Sequence, residues 1–436
     1  MAPASSDESS PGRIAPIAVI GAGAAGLTAA IFAGRAGVPA LVLETRPKPG
    51  AKIRVSGGGR CNVLPSRLEL GDFHTEGSDK SLRNVLFSWP LALVRAFFED
   101  DLGVALEVED TGKVFPASQR AQDIVDALLG ECRRVGTTVL APFRAVAVRC
   151  CDSALAPGES RVAGGATRFE IESETGVVLR ARRIVIATGG LSLPKTGSDG
   201  FGFELARACG HVIEPTFPAL VPLLSSDARW KQLAGISLPA KITALCGGRV
   251  LEERTGDFLF THRGFSGPVV LDMSRHVAAP SSAGEVELQA RWGAATIDWD
   301  RELRRPGKTT IGAILRDRLP RRLADLLASR AGLDPATRTS ELGRDARKRL
   351  VEQLERCPLA ISGDEGYRTA EVTAGGVRLA DVHPKTLESR SVPGLHFAGE
   401  VLDAIGRIGG YNFLWAWVTG RKAGEGAAGA HGQRPE

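Results

Sequence analysis

Gly21, Gly23 and Gly26 are spaced so that the backbone between them can do chemistry. In a GxGxxG order the first glycine permits a tight turn. The second leaves room for a phosphate against the backbone, and the third lets a helix lie close to a strand. Ala24 and Ala25 complete the loop, and Glu44 stands eighteen residues after Gly26. A carboxylate there accepts hydrogen bonds from a ribose diol and repels a 2′-phosphate. The set suits the ADP part of a dinucleotide, whose phosphates gain from the free N–H groups and partial positive charge of a helix N-terminus.

Those residues need a strand, a turn and a helix to hold them, and the flanking sequence supplies each. IAPIAVIG (14–21) is the β-branched apolar run expected of a buried parallel strand. LTAAIFAGRAG follows with helical character, and PALVLE returns as a second strand ending at Glu44. The motif itself is common to NAD and FAD sites.

The next segment, PGAKIRVSGGGRCN (49–62), favours FAD. An NAD-binding fold of this kind runs on into another βαβ unit, whereas this chain enters a glycine-rich loop. Ser56, Gly57, Gly58, Gly59, Cys61 and Asn62 are expected against a flat or phosphorylated ligand, with Lys52 and Arg60 offsetting pyrophosphate charge. The loop lacks the GK[ST] ending of a P-loop. RRIVIATGG (182–190) and LHFAGEVLD (395–403) are strands that run into glycines, and open parallel sheets bind ligands at the C-terminal ends of their strands. They add Thr188, Gly189, Gly190, Gly399, Glu400 and Asp403, the two acids holding the ribityl or pyrophosphate region, or Asp403 capping a turn. In RIGGYNFLWAW (407–417), Gly409, Gly410, Tyr411 and Asn412 are expected where a helix starts against the flavin, with Trp415 and Trp417 as packing. Val146 joins the expected cofactor set. One ADP fingerprint and two later strand ends describe a non-covalent FAD domain closed by a late segment of its own chain.

The same stretches resemble the BaiN/YhiN-like family of FAD-dependent oxidoreductases, which includes aminoacetone-oxidase-like proteins. The resemblance runs from residue 17 to about 422 through GAGAAGL (21–27), SGGGRCN (56–62), KVFPAS and AQDIVDALL (113–129), ATGGLSLPKTGSDGFGFELARACGH (187–211), PALVPL (218–223), FTHRGFSGPVVLDMSR (260–275), TAGGV (373–377) and GEVLDAIGRIGGYNFLWAW (399–417). It implies an α/β fold: a Rossmann-like FAD domain of the two-dinucleotide-binding type, with an inserted small β-barrel and helical piece. It also implies amine oxidation in one branch and enone reduction in another. Many relatives carry Gln where this chain has Leu414, a departure beside the expected flavin edge.

Bulk properties agree with a globular enzyme. The 436 residues are 43% hydrophobic and 24% charged, with a net charge of +5 that reads as thinly spread arginine. That spread argues against nucleic acid as a partner. Seven cysteines without a CxxC pair suggest neither a disulfide framework nor a zinc site, and fit a reducing cytoplasm. The neighbours Cys150 and Cys151 could form a strained bridge, though coincidence is the simpler reading. Residues 14–34 are uncharged but broken by glycines, so no membrane span is expected. Residues 1–13 and 425–436 read as flexible tails, 14–212 and 361–424 as the two segments of the FAD domain, and 213–360 as the insertion, with helices over about 308–357.

The chemistry-bearing candidates are few. His262, in FTHRG, and Tyr411 are the expected proton donors or substrate ligands. Cys61 reads as packing or flavin contact, since no resolving cysteine is spaced for exchange. GFSGP (264–268) is not a nucleophile elbow, and Ser266 is expected to cap a helix. No metal set stands out. A second dinucleotide motif is missing, so NAD(P)H would dock transiently. The expected function is hydride transfer between a small organic substrate and flavin N5, completed by NAD(P)H or dioxygen. Two alternatives are an FAD-containing RNA-binding or RNA-modifying protein and a flavin redox sensor without turnover.

Overall fold

The computed structural model describes residues 14–151, 168–280, 285–294, 296–305 and 308–429. The tail expected at 1–13, and residues 430–436 of the second, lie outside them. The chain divides into two compact units, Met1–Thr216 with Val372–Glu436 and Phe217–Glu371. Each has its own buried hydrophobic core.

The first unit is built on a twisted sheet. Strand β1 (Ile14–Ile20) leads through the glycine turn into helix α1 (Ala24–Arg35), and β2 (Ala40–Leu43) pairs parallel to β1. Helix α2 (Ala121–Arg134) precedes β3 (Thr138–Leu140), which extends the parallel sheet beside β2. Strands β4 (Ala145–Cys151), β5 (Arg168–Ser173) and β6 (Val178–Ile186) form an antiparallel meander. Strand β6 is long enough for two partners on one edge. Its first half pairs antiparallel with β5, and its second half pairs parallel with β7 (Leu395–Phe397). The other edge of β6 lies parallel to β1 from Ile14 opposite Arg180 to Ile20 opposite Ile186. Helix α3 (Phe201–Ala208) follows the ATGG turn after β6. Burial of the apolar residues of β1, β6 and β7 on both faces is what near-continuous Val, Ile and Leu runs dictate.

The last helix, α4 (Tyr411–Ala428), lies against α1. It continues past residue 424, where a tail was expected, for a steric reason. A Cβ at Gly420 would stand 2.5 Å from the Ala25 carbonyl oxygen, and one at Gly424 would collide with that of Ala29. Gly420 and Gly424 form the surface that lets the two helix backbones touch, and Gly426, inside the expected tail, packs against the Thr386 carbonyl, 2.6 Å from its Cβ position.

The second unit opens with a seven-stranded antiparallel sheet centred on the hairpin Ser237–Cys246 and Arg249–Phe260. Its outer strands, Cys357–Pro358 and Ile361–Asp364, are consecutive in the chain. One short segment therefore joins both edges and curls the sheet into a small barrel. Ser266 is not a helix cap. It pairs with Leu259 in a strand, and the helix Pro268–Met273 is capped by Gly267, whose φ of +92° suits glycine. Helices follow over Trp299–Leu303, Ile311–Arg316, Arg321–Arg330 and Arg344–Glu355. No helix among the described residues is long and apolar enough to cross a membrane.

Candidate functional site

The three motif glycines behave differently. Gly21 has φ +104° and its Cβ position is blocked by Ala187 of the neighbouring strand end. A Cβ at Gly26 would run into the Gly21 carbonyl, so the helix can approach only with glycine there. Gly23 is the opposite case. Its backbone is ordinary extended chain (φ −83°, ψ −168°), and nothing lies within 4 Å of where a Cβ would be. Gly23 is also the N-cap of α1, with no side-chain cap and no acid in the first turn. An uncapped helix end beside open space, followed by Ala24 and Ala25, is a fitting seat for an anionic pyrophosphate.

Glu44 closes this seat. Its carboxylate accepts the Ala22 N–H at 2.7 Å and the Arg46 N–H at 2.7 Å. Burial pushes its carboxyl up from the ordinary value, and the Arg46 and Ala22 N–H groups hold it down. Each oxygen retains a second lone pair for a ribose hydroxyl. At Val146 the β4 register with β5 shifts between Ala145 and Ala147, so this exposed residue is bulged out of the ladder.

The glycine-rich loop follows the short helix Ala51–Val55. Gly57, Gly58 and Gly59 all have positive φ and are exposed, and nothing stands within 4 Å of a Cβ at Gly58. Ser56 turns inward, its hydroxyl donating to the Ile53 carbonyl at 2.8 Å. Burial pushes the Cys61 thiol up to about 12, so it is an inert packing residue at neutral pH.

Several expected ligand contacts are instead committed within the protein. Lys52 Nζ is 2.6 Å from Glu400 Oε2 and donates to Ser192 Oγ at 2.6 Å. Glu400 Oε1 accepts Ser192 Oγ at 2.7 Å and the Thr373 N–H at 3.0 Å. Both charges thus fix the loops rather than standing free for a phosphate. Arg60 pairs with Glu109 at 2.6 Å and lies 4.1 Å over the Phe115 ring. Gly189 is packed by Ser198, and Gly190 by Thr373 and Glu400, while Thr188 is crossed by the start of α3 at Gly202. At Gly399 (φ +80°) the Cβ position meets the Ala25 side chain at 2.8 Å, so this strand end abuts α1.

At the head of α4, Gly410 (φ +91°) faces protein: a Cβ would lie 2.5 Å from Leu64 C and 2.6 Å from Leu64 O. With its amide oriented by the hydrogen-bond network, Asn62 accepts the Gly410 N–H at 3.1 Å and donates to Leu64 O at 3.2 Å. Asn412 likewise spans the Gly406 backbone, accepting its N–H at 2.8 Å and donating to its carbonyl at 2.9 Å. These three residues hold the loop. Gly409 (φ +116°) is different, with its nearest neighbour 3.8 Å from a Cβ. Leu414 is fully buried in the core.

Tyr411 packs edge-on against Phe73, with ring centroids 5.8 Å apart. Burial, with the Asp72 carboxylate nearby, pushes its phenol up, so it keeps its proton. Arg407 reaches Asp72 at 2.9 Å beside it. Asp403 is buried and accepts the Thr75 hydroxyl at 2.8 Å; burial, with Glu76 and Glu214 adding, pushes it up to about 6. Ser192, Thr373, Thr75 and Asp72 are the residues that sequence reasoning missed. His262 lies in the second unit, exposed on a turn, and makes no hydrogen bond among the described residues. Among those residues no group could hold a metal ion.

Comparison with known proteins places this geometry in context. The profile of the HI0933-like protein Rossmann domain family matches residues 15–426. The chain is similar to a ribosomal RNA dihydrouridine synthase of Escherichia coli (strain K12), 35% identical over 92% of this chain and 95% of the relative. It is also similar to a 3-dehydro-bile acid delta(4,6)-reductase of Clostridium scindens, 33% identical over 94% of this chain and 98% of the relative. Among solved structures, an open flavocytochrome c3 fumarate reductase shares the fold with a TM-score of 0.52 at 15% identity, covering 97% of this chain and 80% of that one.

Proposed function

The chain belongs to the HI0933-like Rossmann-domain family, and from that premise we propose that it is an FAD-dependent reductase of carbon–carbon double bonds conjugated to a carbonyl. One observation carries the reading. Two relatives with different substrates are named for the same kind of reaction, and each aligns with more than nine tenths of this chain. Uridine and a 3-keto diene both offer a carbon made electrophilic by a conjugated carbonyl. FAD bound at the glycine turn would supply the hydride to that carbon, and NAD(P)H would restore it.

The residues present fit such a cofactor. The uncapped end of α1 at Gly23 takes the pyrophosphate, Glu44 the ribose diol, and the exposed backbone of Gly58 and Gly59 lies open for the rest. The Lys52–Glu400–Ser192–Thr373 network holds the intervening loops in register. Tyr411 keeps its proton and is assigned as donor to the carbon next to the carbonyl.

The test is anaerobic. Purified protein, reduced by NADH or NADPH, is mixed with uridine-containing ribosomal RNA or with a 3-keto-4,6-dienoyl steroid. Loss of substrate absorbance together with flavin reoxidation is expected for at least one of them. Protein that carries no FAD, or reduced flavin that reoxidises only with dioxygen, would sink the proposal.

A further inference from the structure

Cys150 and Cys151 adjoin in the sequence, yet strand geometry parts them. In the ladder between β4 and β5, Cys150 stands opposite Phe169 and Cys151 opposite Arg168, and successive side chains of a strand point to opposite faces. Cys151 shares the charged face with Arg149, Glu170 and Arg180. Burial, then the Glu170 carboxylate beside it, pushes the Cys151 thiol up. Cys150 shares the other face with Val148 and with the buried Phe169 and Ile171. A bridge between the two neighbours would have to break the ladder.

The fold offers Cys150 a different thiol, from 59 residues further along the chain. Helix α3 packs against β4, with Cα atoms of the two approaching within 8 Å. Val148 and Cys209 lie against the same hydrophobic core. The two segments are pinned at their starts, where Arg144 meets Asp199 at 2.8 Å. From that pin the strand covers roughly 20 Å to Cys150, and two linking steps with the turns of α3 cover roughly 18 Å to Cys209. The advances match, and the thiols meet: the Cys150 side chain lies within hydrogen-bonding reach of Cys209, the residue that caps α3. Cys150 is exposed, whereas Cys209 is half-buried. Burial, then the Cys150 thiol beside it, pushes Cys209 up to about 11.

We propose that Cys150 and Cys209 are a site of reversible oxidation, a dithiol that closes to an intramolecular disulfide by exchange with a low-molecular-weight disulfide. Cys150 is the attacking thiol because it is the accessible one. Its deprotonated sulfur bonds to one sulfur of the reagent, the reagent's S–S bond breaks, and one small thiol leaves. The Cys209 sulfur then bonds to Cys150, the mixed disulfide breaks, and a second small thiol leaves with the proton from Cys209. The protein pair loses two electrons and the reagent gains them. Cys209 keeps its proton at neutral pH and is shielded from outside reagents, so it serves only to resolve what forms on its neighbour. The bridge fastens α3, whose Gly202 crosses Thr188 of the ATGG turn, to the antiparallel meander.

The experiment incubates the purified protein with oxidised glutathione at about pH 8, near the ordinary thiol value, then alkylates and digests it with trypsin without reduction. Cleavage after Arg149 and Arg207 leaves Cys150 and Cys151 on one peptide and Cys209 on another. The expected product is a cross-link between those two peptides through Cys150, with Cys151 alkylated, and dithiothreitol should restore both thiols. Oxidation should also raise the melting temperature by several degrees, because the closed loop restricts the unfolded chain. Cys209→Ser should stop the exchange halfway, with one glutathione retained on Cys150. Cys151→Ser should leave the cross-link in full yield. A bridge inside the Cys150–Cys151 peptide, a covalent dimer on a non-reducing gel, or glutathione persisting on Cys150 of the wild type would each overturn the proposal.

Discussion

Gly23→Ala separates cofactor binding from folding. The Gly23 backbone is already in a conformation open to alanine, and the added methyl meets no protein atom within 4 Å. Apoprotein stability should therefore change by no more than about 0.5 kcal/mol, with a slight gain as readily as a loss. A pyrophosphate lying on that backbone would be displaced and would lose one charge-assisted hydrogen bond, worth about 1.5–3 kcal/mol. That is roughly a 10- to 200-fold loss of FAD affinity. Gly26→Ala is the contrast, because its methyl collides with the Gly21 carbonyl. It should destabilise the apoprotein by about 1–3 kcal/mol or more. The assay strips the flavin, melts each apoprotein, and titrates FAD by fluorescence quenching. If Gly23→Ala bound FAD like wild type, or melted as early as Gly26→Ala, the open space at Gly23 would not be the phosphate seat.

Asp403 should make stability fall with rising pH. Raised to about 6 by burial, it keeps its proton in the folded state after the unfolded chain has lost its own. Its contribution is full below about pH 4 and is lost through about pH 6, at a cost approaching 3 kcal/mol by pH 7. Asp403→Asn should remove most of that fall in melts between pH 5 and 7; an unchanged pH dependence would refute the assignment. Gly410→Ala should lower the melting temperature of the apoprotein, by about 1–3 kcal/mol in stability, because the methyl meets Leu64 backbone. An effect confined to FAD affinity would return this glycine to the ligand. Lys52→Met should destabilise by about 1–3 kcal/mol by leaving Glu400 half-buried without its cation. Adding Glu400→Gln should recover part of it, and strictly additive effects in the double-mutant cycle would show that the pair is not coupled.

The strand, glycine turn and helix were legible because their signals are local: strand, glycines, helix and Glu44 lie within about thirty consecutive residues, and each carries its own signal. What distance hides is how polar groups are spent. Lys52 and Arg60 look available for a phosphate in the sequence, yet one partner stands 348 residues away and the other 49. Asn412 and Gly410 sit beside an aromatic run and invite a ligand reading, but their bonds close the chain on itself. The insertion, read as 213–360, divides at Phe217 and Glu371, since its closing strands carry too few residues for a periodic signal.

The seam between α1 and α4 also sets an order of events during synthesis. Ala25 waits for Gly420, nearly four hundred residues later, and β6 waits for β7. The inserted unit is contiguous and has its whole core to hand by Glu371. It can complete itself first, while the dinucleotide unit remains an unfinished sheet with an uncovered first helix. For that interval the Gly/Ala face of α1 lacks the helix that covers it. FAD, on the proposal that it binds the finished turn, would draw the assembly to completion but could not begin it.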